Sequence, residues 1–117
     1  MQDNILKQLM ALVEKKFNLN KEIWEKTFPW KNIEQWLQWE TYLKTIIDEV
    51  EEVTQELKEN NSVYLEDELW DILWTYMNML HCFEKDWYID QKKVFQRCLK
   101  KYSERTNGME KGISWND

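Results

Sequence analysis

Two pairs of acidic residues lie near the middle of the chain, each pair spaced by about one helical turn. The stretch IIDEVEEVTQELKENNSVYLEDELWDILW, from Ile46 to Trp74, carries Glu49 and Glu52 as Glu-x-x-Glu and then Glu68 and Asp71 as Glu-x-x-Asp. Spacing alone says little in a chain with 22 acidic residues, because solvated helix faces often look the same. Angular position says more. At about 100° per residue, Glu49 falls at the margin of the apolar stripe Ile46, Val50, Val53, with Glu52 about 60° further round. Glu68 and Asp71 hold nearly the same relation to Leu65, Leu69 and Ile72. Two helices joined by the short link ENNSVY pack antiparallel through those stripes, which brings all four carboxylates to one seam. There they repel one another unless a cation joins them. An all-oxygen donor set selects a hard ion, Mg²⁺ or Mn²⁺. A di-iron bundle needs Glu-x-x-His, and the single histidine, His81, is preceded three residues earlier by Asn78, so that chemistry is excluded.

The elements that carry these acids are helices. Two glycines and one proline in 117 residues leave little punctuation for hairpins, while Glu, Lys, Leu and Gln favour helix. Ile5, Leu6, Leu9, Leu12 and Val13 predict a first amphipathic helix over about 3–17. NLNKEIWEKTFPWKN is expected to interrupt it, with Pro29 disfavouring helix at Phe28 and Asn32 capping a new helix from Ile33. That second helix keeps Ile46, Val50, Val53 and Leu57 on one stripe and stops at NNS. A third fits YLEDELWDILWTYMNMLHCFE, with Leu65, Leu69, Ile72, Tyr76, Met79 and Leu80 on its apolar face. The fourth starts near Asp86 or Asp90 and carries Val94, Phe95, Leu99 and Tyr102. Residues 107–117 are expected to be a loose tail. The prediction is one all-α domain over 1–117, built like a four-helix bundle.

Composition narrows the functions. A net charge of -6 argues against wrapping a long nucleic acid, which needs a basic face; a small phosphorylated ligand carried by a cation remains compatible. No apolar run is long enough to span a membrane. Cys82 and Cys98 form no CxxC pair and no secretory apolar segment is present, which points to reduced thiols and the cytoplasm. Both cysteines are expected to be small buried hydrophobes, and His81 a core or helix-surface residue instead of a general base. Eight tryptophans and an aromatic share of 15% suit a small core and an oligomer interface.

DEVEE followed by DELWD resembles the paired signature of the MazG-like all-α nucleoside triphosphate pyrophosphohydrolases, in which an acid-Glu-x-x-Glu segment precedes Glu-x-x-Asp on the next helix. The similarity covers about residues 28–106. FPWKNIEQ is similar to the Pro-Trp element that often precedes the first acidic helix, and KKYSER to a basic-aromatic-x-x-Arg segment near the end. The resemblance implies hydrolysis of a nucleoside triphosphate, or its deoxy form, to the monophosphate and pyrophosphate. It implies Mg²⁺ held by Glu49, Glu52, Glu68 and Asp71, with Asp48 orienting the attacking water. Lys101 and Arg105 match the cationic segment and would neutralise phosphate oxygens. Trp30 and Trp36, flanking the start of the second helix, are candidates for stacking on the base. Two positions depart from the family: Trp70 stands where relatives often have glycine or another small residue, and Cys98 where many have an asparagine that reaches the nucleotide.

A short chain of this kind leaves apolar helix faces uncovered, so a homodimer or a dimer of dimers is expected, with substrate pockets that include residues of two chains. The resemblance also admits relatives specialised for dUTP or dCTP. The rival of another class is a non-catalytic helical interaction module, which predicts no dependence on divalent ions. A metal that only stabilises the fold would raise the melting temperature without turnover.

Overall fold

Between Gln2 and Thr27 nothing stops a helix, and α1 runs that whole length. The computed structural model describes residues 2–27 and 37–115. The interruption expected after residue 17 does not occur at Asn18 to Asn20, because asparagine in a helix costs only a fraction of a kcal/mol and neither glycine nor proline is near. The expected helix start at Ile33, with Pro29 and Asn32, lies outside the described residues. Gln38 is extended, with φ -109° and ψ 134°, so the second helix, α2, begins at Trp39 and ends at Gln55. α3 follows over Ser62–Lys85 and α4 over Gln91–Glu110. No strand forms among the described residues, and the chain has an all-α fold.

α2 and α3 make an antiparallel hairpin. The turn between them places Asn60 at φ 56°, and the Asn61 amide donates to the Glu56 carbonyl at 2.8 Å and to its carboxylate at 2.7 Å. Residues at equal sequence distance on either side of Asn60 therefore face each other. Lys16 joins one such pair, donating to Tyr42 Oη at 2.8 Å and to Asn78 Oδ1 at 3.1 Å. Phe17 meets the His81 ring edge-on, with centroids 4.8 Å apart. α1 thus runs parallel to α3, and the core forms where α1, α2 and α3 converge: Val13, Tyr42, Met77, Leu80 and Cys82 are buried there.

The rotation of α2 differs from the apolar stripe of the sequence. Val50 is 53% exposed, while Tyr42, Ile46, Glu49 and Val53 turn inward. A polar side chain, Glu49, holds a central place on the inward face, which a count of apolar residues misses. On α1, Ile5 and Leu12 are exposed, and Val13, Lys16 and Phe17 take the inward positions.

α3 and α4 end alike. Tyr88 N–H bonds the Phe83 carbonyl and Trp87 N–H that of Glu84, with Trp87 at φ 65°; Phe83 and Tyr88 rings meet edge-on at 5.8 Å. Ile113 N–H bonds the Gly108 carbonyl and Gly112 N–H that of Met109, with Gly112 at φ +86°. This double bond with a left-handed residue satisfies the orphan carbonyls of a helix end. The expected loose tail is therefore ordered through residue 115: α4 continues to Glu110, and Trp115 folds back to stack on Tyr102 at 5.5 Å. Asp90 caps α4 by accepting from Lys92 N–H at 2.9 Å.

α4 packs least. It contains no buried residue, and Leu99 is 71% exposed. The radius of gyration is 17.9 Å, well above the ~13 Å of a compact 100-residue domain. Cys98 is exposed instead of buried, because the α4 face that carries it has no neighbour among the described residues, whereas Cys82 is buried in the core.

Candidate metal centre

The hairpin register brings the acids together. Glu49 faces Asp71 and Glu52 faces Glu68, each pair equidistant from Asn60. Carboxylate oxygens of Glu49, Glu68 and Asp71 lie within 4.8 Å of one another. Glu52 is more exposed and stands at the edge, within hydrogen-bonding reach of Glu68.

The electrostatics follow from that crowding. Glu49 is pushed from 4.5 up to about 7, first by burial and then by the charges of Asp71, Glu52 and Glu68 and a hydrogen bond with Glu68. Glu68 is also raised, by burial and then by the hydrogen bond and charge of Glu52 and the charge of Asp71, while its hydrogen bond with Glu49 acts in the opposite sense. Every charge acting on these two residues is a carboxylate. Glu49 Oε2 and Glu68 Oε2 are both shut off from solvent and lack a hydrogen-bond donor among the described residues. Buried acceptors without donors are costly. Oxygen-only, acid-only donors that need a positive partner fit a hard divalent cation.

The other expected site residues lie elsewhere. Asp48 is exposed on α2, outside the three-carboxylate group. Lys101 and Arg105 are exposed on α4; Lys101 Nζ is 5.5 Å from the Tyr102 ring centroid and the Arg105 guanidinium 5.6 Å from that of Trp115. Neither pairs with a carboxylate among the described residues. Trp30 and Trp36 lie outside the described residues. His81 is a core residue: burial lowers its pKa, with the Lys85 charge acting in the same direction. The Cys82 thiol is pushed up to about 12, chiefly by burial, which leaves it inert as a nucleophile. Sequence reasoning missed Trp74 and the α1 residues beside it; the adjacency of Trp70 to Asp71 and its one-turn spacing to Trp74 were the available signal.

The chain is an all-helical domain that gathers carboxylates from two successive antiparallel helices. Residues 37–109 match the MazG nucleotide pyrophosphohydrolase domain, and the chain belongs to that family. No curated protein and no solved structure gives a match.

The raised carboxyls have a consequence for the metal-free protein. Because Glu49 keeps its proton when folded between pH 4.5 and about 7, and the unfolded chain has lost it, its contribution to stability is full below 4.5 and disappears as pH rises through 7. In EDTA the melting temperature of the wild type is expected to fall across that window, and the fall to shrink in Glu49→Gln. Mg²⁺ should raise the melting temperature more at pH 8 than at pH 5, since binding requires ionised carboxylates. Parallel pH profiles of wild type and variant in thermal melts would remove Glu49 as the source.

Proposed function

We propose that the chain is a Mg²⁺-dependent nucleotide pyrophosphohydrolase that converts a nucleoside triphosphate, or its deoxy form, to the monophosphate and pyrophosphate. The observation that carries this reading is the convergence of Glu49, Glu68 and Asp71, two of them with occluded oxygens that lack donors, within a domain of this family. Glu49, Glu52, Glu68 and Asp71 would hold Mg²⁺, for which Mn²⁺ substitutes. When bound, the ion supplies neutralisation of phosphate charge and acidification of a water.

The chain's own residues position and select. Glu49, held up at about 7 in the metal-free cluster, must release its proton for the cluster to carry its full charge, so cation affinity rises with pH. Asp48, next to Glu49 and open to solvent, accepts a hydrogen bond from the attacking water and orients it. The water oxygen bonds to the α-phosphorus, the bond from that phosphorus to the α–β bridging oxygen breaks, pyrophosphate leaves with the bonding pair, and the water's proton passes to solvent. Lys101 and Arg105 would neutralise phosphate oxygens beside those gathered at the acid cluster.

Those two cations reach the phosphates from the α4 of a second copy. The support is that α4 has no buried residue and leaves Leu99 71% exposed, a face that a homodimer or a dimer of dimers would bury. No helix among the described residues is long and apolar enough to cross a membrane, and with two free cysteines the reading assigns the activity to the cytoplasm.

The test is pyrophosphate release from a panel of nucleoside triphosphates and their deoxy forms. Release in Mg²⁺ that stops in EDTA is the expected outcome. Silence across the panel from folded protein favours the interaction-module reading instead.

A further inference from the structure

Asp71 belongs to two surroundings at once. Its carboxylate joins Glu49 and Glu68, and the residue also lines an open-mouthed pocket of about 470 Å³ between α1 and α3, walled by Ile5, Leu9, Trp70, Leu73 and Trp74. Trp70 and Trp74 are one helical turn apart and therefore lie on one side of α3. Lys16 Nζ sits 5.6 Å from the Trp74 ring centroid and is itself tied to Tyr42 and Asn78, which fixes that wall. Trp70 is 60% exposed and Ile5 57%, so a large apolar surface stands open directly beside the acid cluster.

A nucleotide whose phosphates are gathered at the carboxylates has its base within one nucleotide length of them. The pocket is concave and apolar, shares Asp71 with the cluster, and has room for a base with its sugar. Among the described residues its walls hold no amide, hydroxyl or cationic side chain: apart from Asp71, already part of the cluster, the polar groups are two indole N–H donors. Sites that discriminate bases by their edges do so with hydrogen-bonding groups left unpaired by the wrong base. Apolar walls instead reward ring area.

Resting on the reading above, we propose that the Trp70–Trp74 pocket receives the base of the nucleotide and selects it by stacking, so that purine nucleotides are favoured over pyrimidine ones. Ile5 and Leu9 lie before the segment that matches the family, so this wall is contributed by the chain's own first helix. Trp70 is the specificity-determining side chain.

The experiment is calorimetric titration in Mg²⁺ of the full chain, Trp70→Ala and Trp70→Phe, with α,β-imido dATP, α,β-imido dCTP and tripolyphosphate. The imido link resists cleavage, so binding is read without turnover. Trp70→Ala is expected to weaken the dATP analogue about 10-fold, Trp70→Phe to restore most of the loss, and tripolyphosphate, which has no base, to bind all three alike. The wild type should bind the dATP analogue more tightly than the dCTP analogue. Unchanged dATP-analogue affinity in Trp70→Ala, or equal weakening of tripolyphosphate, overturns the proposal; equal affinity for the two analogues overturns the purine preference. A change of oligomeric state in Trp70→Ala by sedimentation assigns the pocket to a second copy and also overturns it. Binding of the dATP analogue by a wild type that leaves dATP itself uncleaved in Mg²⁺ defeats the catalytic reading and leaves the pocket assignment standing; absence of binding by any analogue defeats both.

Discussion

Glu49→Gln is expected to lower Mg²⁺-dependent turnover about 1,000-fold while leaving the helical circular dichroism unchanged. Glu49 occupies the middle of the inward face of α2, with Asp71 and Glu68 across the seam. The amide keeps the shape of the side chain and removes the charge, so the loss falls on cation binding and the chemistry that depends on it. The same substitution removes the source of repulsion that pushes Glu49 up to about 7, and the metal-free melting temperature should rise by about 4 °C at pH 8. Asp71→Asn should behave in the same way. The opposite movement of activity and stability separates a functional carboxylate from a structural one, because a structural acid would lose both. Wild-type turnover in either variant would sink the carboxylate site.

The second large effect is on stability. Lys16→Ala should lower the melting temperature by about 10 °C, which corresponds to roughly 2–3 kcal/mol. Lys16 is the polar bolt through the three packed helices. It donates to Tyr42 Oη and Asn78 Oδ1 and lies over the Tyr42 and Trp74 rings. Tyr42 and Asn78 are each 3% exposed, and the Asn78 amide also donates to the Trp74 carbonyl at 2.7 Å. Alanine leaves the Asn78 acceptor buried without its donor, which costs about 1–3 kcal/mol, and forfeits the cation–aromatic attraction. Thermal melts of wild type and variant at one pH measure it directly. A shift under about 2 °C would mean that the network contributes little and that apolar contacts of Val13 and Phe17 hold α1.

The acid cluster was legible in the sequence because the short turn at Asn60 fixes the register of α2 against α3. Once two helices form a tight antiparallel hairpin, Glu49 must face Asp71 and Glu52 must face Glu68. The rotation of α2 was not legible to the same degree. Counting apolar residues points Val50 inward, but Tyr42 and Glu49 take inward positions, and neither is marked as core by hydropathy. α1 outruns its apolar pattern for a related reason: NLN looks like a break, yet asparagine only weakens a helix, and the packing of Phe17 on His81 carries α1 through it. Cys98 and the last residues depended on tertiary placement. With no neighbour among the described residues on its own face of α4, Cys98 stays exposed, and a glycine at φ +86° lets Trp115 return to Tyr102. The Trp70–Trp74 pocket needs a wall from α1, distant in sequence, and only the parallel docking of α1 on α3 creates it.

The most direct test of the central claim is the identity of the products, followed by ³¹P nuclear magnetic resonance on a purine nucleoside triphosphate incubated with the full chain in Mg²⁺ and in EDTA. The account predicts monophosphate and pyrophosphate signals growing together in Mg²⁺ and neither in EDTA. Diphosphate with inorganic phosphate, or the same products in EDTA, would contradict it.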